Sequence, residues 1–280
     1  MRTIEPAHGL AVLLPSRSAP IRMGVRISPL SVAILCFCAI MVASTAWAQA
    51  GPAMLSPLQV IVKWSPLLLR GFAFNILISL LAMLLGTVAG LGLGLALLSE
   101  FRPLARVSWF VTQFFRNAPW LVLLFFVMFL VPFQVTIFKT TVPLPDWVKA
   151  TVGFALPVMA NVAEVVRGAV RSVPLTQWEA AESLSFTRRQ TMWQIILPQC
   201  IKRMLPPWMN IYALVAMATV LASIVGVSEM LTLTAQVHAA EGGRSELFAP
   251  LYGFALLCFF LYCYPINLWT AHLERRFRLR

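Results

Sequence analysis

The sequence predicts an all-α integral membrane protein with five core transmembrane helices and one further hydrophobic segment near its N-terminus. Three observations lead there. Of the 280 residues, 60% are hydrophobic and only 11% charged, where a soluble domain carries about 25% charged residues. The apolar residues gather into six runs, each close to the length of about 20 residues that a spanning helix needs. The remaining charge is one-signed, with 22 Lys and Arg against 10 Asp and Glu, a formal net charge of +12. This composition excludes a soluble α/β enzyme and a disordered chain. It also argues against a nucleic-acid partner, because the basic residues alternate with apolar runs instead of lining a solvated face. Membrane lipid is the medium it implies.

The first run, residues 27–48, supports two readings. It follows a basic tail and ends in Ala46-Trp47-Ala48, the small-x-small pattern of a signal-peptide cleavage site. Its length equally suits an uncleaved extra span. The five core runs are residues 71–98, 109–132, 147–170, 207–227 and 247–269. In the first of these, Gly86, Gly90 and Gly94 recur at four-residue steps, so one helix face is nearly bare and suits close packing. Arg116-Asn117-Ala118-Pro119 interrupts the start of 109–132. Pro119 is tolerated in a first helical turn. Arg116 fits either a snorkel to the interface or a gate or subunit contact.

Sorting the basic residues by connection sets the orientation. Arg2, Arg17, Arg22 and Arg26 lie before the first run, and Arg102, Arg106 and Arg116 lie in or beside the next connection of the same side. Arg167, Arg171, Arg188, Arg189, Lys202 and Arg203 fall around 171–206, and Arg275, Arg276, Arg278 and Arg280 lie at the end. These are 17 of the 22. The alternate connections hold only Lys63, Arg70, Lys139, Lys149 and Arg244. The positive-inside rule then places the 17 in the cytoplasm, the C-terminus among them.

Cys36, Cys38, Cys200, Cys258 and Cys263 form no CxxC and read as packing residues. His8, His238 and His272 are too scattered for a metal site. No Walker A sequence occurs, so no cofactor is expected here and the chain is not expected to be an enzyme.

The long connection 171–206 reads as two short helices. Pro174 ends the preceding span. Thr176-Gln177-Trp178-Glu179 has the pattern of a capping box opening a helix over 178–184, and Thr187-Arg188-Arg189-Gln190 has that of a second. The second helix carries Met192, Ile195 and Ile196 toward Leu197-Pro198, where proline is expected to stop it. Trp178, Ala181 and Leu184, at i, i+3 and i+6, fall on one face.

These residues resemble a known pattern. Glu179-Ala180-Ala181, three residues, Ser185, nine residues, then Ile195-Ile196-Leu197-Pro198 is similar to the EAA loop of ABC importer permeases: Glu-Ala-Ala, three residues, Gly, nine residues, Ile-x-Leu-Pro. Ser185 stands where Gly is usual, and must adopt a left-handed turn at some cost or turn differently. Phe115-Arg116-Asn117-Ala118-Pro119-Trp120-Leu121-Val122 resembles the Phe-Arg-Gly-Thr-Pro-Leu-Leu-Val of the polar amino acid branch. Ala163-Glu164-Val165-Val166-Arg167-Gly168 with Ser172-Val173-Pro174, and Ser223-Ile224-Val225-Gly226-Val227-Ser228-Glu229, resemble two more of its motifs. Ala216-Met217-Ala218-Thr219 departs from it, since Met217 replaces a residue that is often basic.

The resemblance covers about residues 66–270 and implies the type I importer permease fold. Residues 1–50 form the basic tail and hydrophobic segment, 66–270 the permease domain with its loop at 172–206, and 271–280 a basic cytoplasmic tail. The implied function is that of the permease subunit of an ATP-driven, binding-protein-dependent importer of polar amino acids in a bacterial inner membrane. ATP would be bound by partner ATPase subunits. A second permease subunit, identical or different, and an extracytoplasmic solute-binding protein complete the implied assembly. The loop residues Trp178, Glu179, Ala180, Ala181, Leu184, Ser185, Ile195, Leu197 and Pro198 would couple to the ATPase, the first helix seated in its groove.

Four polar residues in the spans are candidates for the translocation pathway. Asn161 and Glu164 lie i, i+3 in an apolar run, where a charge is costly by about 2.5 kcal/mol or more unless it faces protein or water. Glu164 fits a structural pair with Arg167 as well as it fits solute contact. Thr219 and Ser223, i, i+4 in the next span, fit hydrogen bonding to their own helix backbone or bridging to a neighbour first, and solute contact second. Two rivals remain at this point: a degenerate or scaffold permease, and a secondary transporter, although no repeat between halves supports the latter.

Overall fold

The structure, a computed structural model, describes residues 55–137 and 140–278, together with Val32, Leu35 and Ala39. The question of span or signal at 27–48 lies outside the described residues. Helix α1 (Pro57–Leu97) is 41 residues long and starts well before the expected residue 71. Ser56 caps it in a box with Gln59, and Pro57 sits in the first turn where no N–H is needed. The early start escapes a hydropathy reading because Lys63 and Arg70 interrupt the apolar run without interrupting the helix.

The run 109–132 is not one straight span. Helices α2 (Arg102–Asn117) and α3 (Trp120–Leu130) meet at 109°. Ala118 is extended, φ −74° and ψ 137°, as the residue before a proline prefers, and Pro119 has no N–H to continue the ladder. A short antiparallel hairpin follows, β1 (Gln134–Ile137) on β2 (Thr140–Pro143), with Gln134 opposite Pro143. Beside it the Lys149 ammonium is fully buried, 3.3 Å from the Phe133 ring centre and 3.3 Å from Asp146 Oδ1.

Helix α4 (Asp146–Arg171) is the central element. Gly86, Gly90 and Gly94 of α1 lie against Val158, Val162 and Val166 of α4. Both numbers rise together, so α1 and α4 run in the same direction. A Cβ on Gly90 would come within 2.7 Å of Val162 Cβ and of the Met159 carbonyl oxygen. Gly92, on another face, has nothing within 4 Å. The glycine steps thus act as the sequence suggests: small residues let dispersion contacts form between backbones.

After the connecting loop, α7 (Leu197–Ala218) runs antiparallel to α1, tied by Trp208 Nε1 to Thr87 Oγ1 at 2.9 Å. Its end tightens into a 3₁₀ segment, Thr219–Val225, which Gly226 closes at φ +89°. Helix α8 (Met230–Ala240) falls between two expected spans and was not foreseen. It packs on the first half of α1 with Val60, Leu68 and Met230 buried in a common cluster. Helix α9 (Ser245–Arg278) completes the bundle and continues through most of the expected basic tail. Cys200 and Cys263 are free thiols buried among apolar side chains. Among the described residues, four helices are long and apolar enough to cross a membrane, and five when the bent α2–α3 pair counts as one.

Candidate functional site

Two features stand apart from apolar packing: a polar cleft and an exposed loop. The cleft, about 570 Å³, opens between α4, α7 and the α2–α3 bend. Asn161 and Glu164 both line it, together with Arg116, Trp120, Arg203 and Asn210. Glu164 is held on several sides. Arg167 donates to its Oε2 at 2.6 and 3.0 Å, Gln113 donates to Oε1 at 3.4 Å, and Arg116 stands 3.9 Å away. The expected Glu164–Arg167 pair therefore forms, and Glu164 faces the cleft as well. Asn161 donates one side-chain N–H to the Pro157 carbonyl, one turn back in its own helix, at 2.8 Å.

Thr219 and Ser223 do not join this cleft. Thr219 is fully buried, donates to Ala216 O at 2.7 Å and accepts from Asn75 Nδ2 at 3.1 Å. Asn75 also donates to Glu229 Oε2 at 2.9 Å and accepts from the Met230 N–H at 3.0 Å. Glu229 in turn caps α8 through the Thr232 N–H at 2.9 Å. This node fastens the α7–α8 break to α1. Ser223 donates to Val220 O within its own segment at 2.7 Å. Asn75 was not among the expected residues. A lone amide in an otherwise apolar run was its only signal, and only the fold brings residues 75, 219 and 229 together.

The loop departs from expectation at three points. Its first helix, α5, is Leu175–Ser183, and no side chain caps it. Pro174, extended at ψ 143°, is the N-cap, so Thr176 already sits inside the first turn and no Thr176–Glu179 box forms. Second, Trp178 and Ala181 do not present an outward face. Ala181 is buried, and Trp178 packs on Val170, Val173 and Ile196 of the loop's own cluster, while Leu184 is 71% exposed. A face assigned from helical spacing alone could not show which side the chain itself would cover. Third, Pro198 does not stop a helix. The Thr187–Gln190 box does form and opens α6 (Arg188–Gln190). A π-turn over Thr191–Ile196 follows, in which the Leu197 N–H reaches back five residues to Met192 O. That wider turn relieves the carbonyls that a proline ring would strike, and Pro198 becomes an early residue of α7.

Ser185 adopts the left-handed conformation that Gly would supply, φ 58°. Its N–H bonds Glu182 O at 2.8 Å and the Phe186 N–H bonds Ala181 O at 3.1 Å, together a Schellman closure. Ile195 and Leu197 lean on the same inner cluster as Trp178. Glu179, Ala180 and Pro198 face outward.

Residues 82–279 match the family described as "Binding-protein-dependent transport system inner membrane component". The chain belongs to that family. It is a multi-pass permease subunit of an ABC importer, and a secondary transporter is thereby set aside. The permease is 34% identical over 212 residues to a probable amino-acid ABC transporter permease of Bacillus subtilis, covering 76% of this chain and 89% of that one. It is 30% identical over 212 residues to an L-cystine transport system permease of the same organism, covering 75% and 86%. Its fold is similar to a chain of a crystallised amino acid ABC transporter, with a TM-score of 0.68 and 24% identity over 80% of this chain and all of that one. A chain of the inward-facing methionine transporter MetNI matches at a TM-score of 0.61 and 16% identity, over 76% of this chain and 97% of that one. The permease fold expected from the EAA spacing is thus the fold observed.

Proposed function

We propose that this permease imports polar amino acids, that its basic-rich ends face the cytoplasm, and that separate ATPase subunits hydrolyse the ATP. The chain itself then holds no cofactor. A second permease subunit closes the pathway, and an extracytoplasmic binding protein delivers the solute to the hairpin side. The observation that carries the substrate class is the cleft: Arg116 and Arg203 stand with Glu164, Asn161 and Asn210 in an otherwise apolar bundle. A zwitterion needs a cation, an anion and amide groups within one small volume, and these residues supply all three. Thr219 and Ser223 serve the scaffold instead.

Coupling follows from the exposed side of the loop. Glu179 and Leu184 face out beside Ala180, while Trp178, Ala181, Ile195 and Leu197 root the loop in its own chain. Trp193, 57% exposed, extends the outward apolar surface. A partner groove would receive this surface, and closure of the ATPase pair would move it against the spans. The test uses the purified complex in proteoliposomes. Glu164→Gln and Asn161→Ala should depress uptake and solute-stimulated ATP hydrolysis while leaving basal hydrolysis. Glu179→Lys should assemble yet lose transport. Normal uptake by these variants overturns the cleft and loop assignments respectively.

A further inference from the structure

Between the coupling loop and the ends of α1 and α4 lies a cavity of about 360 Å³ that neither the pathway nor the ATPase contact uses. Leu98, Val170, Val173 and Met192 form its apolar lining, and Arg171 and Arg188 supply its charge. Arg188 pairs with Glu100 just past the end of α1. Arg171 has no ion pair among the described residues.

The cavity is continuous with a surface on α1. Residues 84, 88, 91, 95 and 98 follow one another at steps of four and three, one face of the helix. Leu84, Val88 and Leu91 are 60%, 66% and 40% exposed. This stripe lies away from the Gly86–Gly94 face that meets α4, and it ends at Leu98 in the cavity wall. Guanidinium groups at the base of an exposed apolar stripe, where two spans end, match a phosphate headgroup with its acyl chain above.

We infer that this cavity binds an anionic phospholipid of the cytoplasmic leaflet, with its headgroup on Arg171 and Arg188 and an acyl chain along α1. The site rests on the orientation given under the proposed function. Because Trp178 and Met192 line it from the loop, an occupied site braces the loop against α1 and α4. Glu100 competes with the headgroup for Arg188.

The test measures lipid retained by the purified complex, by native mass spectrometry, after exchange into phosphatidylcholine with and without phosphatidylglycerol. Phosphatidylglycerol should be retained in preference. Arg171→Gln and Arg188→Gln should each lower that retention about fivefold, taking about 1 kcal/mol per arginine near a charged surface. Glu100→Gln should raise it by freeing Arg188, and Arg276→Gln should leave it unchanged. Soluble glycerol phosphate should not displace the lipid. Equal retention of both lipids, displacement by glycerol phosphate, or a fall with Glu100→Gln overturns the inference. So does a photo-crosslinker at Leu175, an exposed residue of the wall, that captures an ATPase subunit instead of lipid. Retention is read without transport, so a failed import assay leaves this result standing, and a failed lipid assay leaves import standing.

Discussion

The seam between α1 and α4 and the loop between α4 and α7 are built on opposite terms. In the seam, three glycines admit three valines so closely that no Cβ could be added without displacing backbone or branched carbon. In the loop, most side chains are exposed, one turn is π-helical, and a serine sits in the left-handed region. The seam makes α1 and α4 one rigid body, since interpenetrating surfaces have a single register. The loop turns Trp178, Ala181, Thr191, Ile195, Ile196 and Leu197 inward and leaves most of its other side chains exposed. A transporter needs both: a body that moves whole, and a handle held by its own root.

The sharpest way to break this contrast is Gly90→Val. Overpacking against Val162 and the Met159 carbonyl should cost about 3 kcal/mol, read as loss of folded material and of melting temperature in detergent. Gly92→Ala should do the reverse by a small margin, about 0.5–1 kcal/mol, because its Cβ meets nothing and glycine is a poor helix former. Asn75→Ala tests whether the node extends the rigid body to α8. It removes partners from Thr219, Glu229 and the Met230 N–H at once, and should cost about 2 kcal/mol. A melting temperature equal to the parent's would detach α8 from the rigid body.

Ser185→Gly acts on the other side of the comparison. Relief of the left-handed strain should stabilise the loop by about 1 kcal/mol, seen as slower hydrogen exchange at Ser183 to Phe186. The smallest effect belongs to the far end of α1. Lys63 and Trp64 donate to Glu241 at 2.7 and 2.8 Å and hold its carboxyl below the ordinary value of 4.5. The folded state therefore favours the ionised form. That contribution is complete above about pH 4.5 and fades as acid carries the pH through the lowered folded value. The parent should lose slightly more stability between pH 7 and 4 than Glu241→Gln, by under about 1 kcal/mol for so exposed a pair.

Much of this was legible in the chain. The Gly86–Gly94 steps named a packing face, the Thr187–Gln190 pattern named a cap that forms, and the EAA spacing marked Ser185 as a turn that is either left-handed or different, which the structure decides as left-handed. Other features were illegible for definite reasons. Thr176 matched the capping pattern, but Pro174, two residues earlier, had already started the helix. Pro198 read as a terminator because only a π-turn upstream lets it pass, and a turn width has no residue signature. Asn161 and Glu164 were found because polar residues in apolar runs are conspicuous. Arg203 was missed because it sits beside Lys202 in a basic connection, and Asn210, an amide in an apolar run like Asn161, was passed over although the same signal marks it.

Composition and local spacing decided that the chain spans a membrane, where its glycine face lies and which loop carries the EAA pattern. These properties depend on residues within a few turns of one another. The tertiary structure alone decided which side of α5 is covered, that Thr219 belongs to a buried node with Asn75 and Glu229, and that Arg116 and Arg203 share a cleft with Glu164. The last two join side chains tens or more than a hundred positions apart, and periodicity carries no information across such a separation.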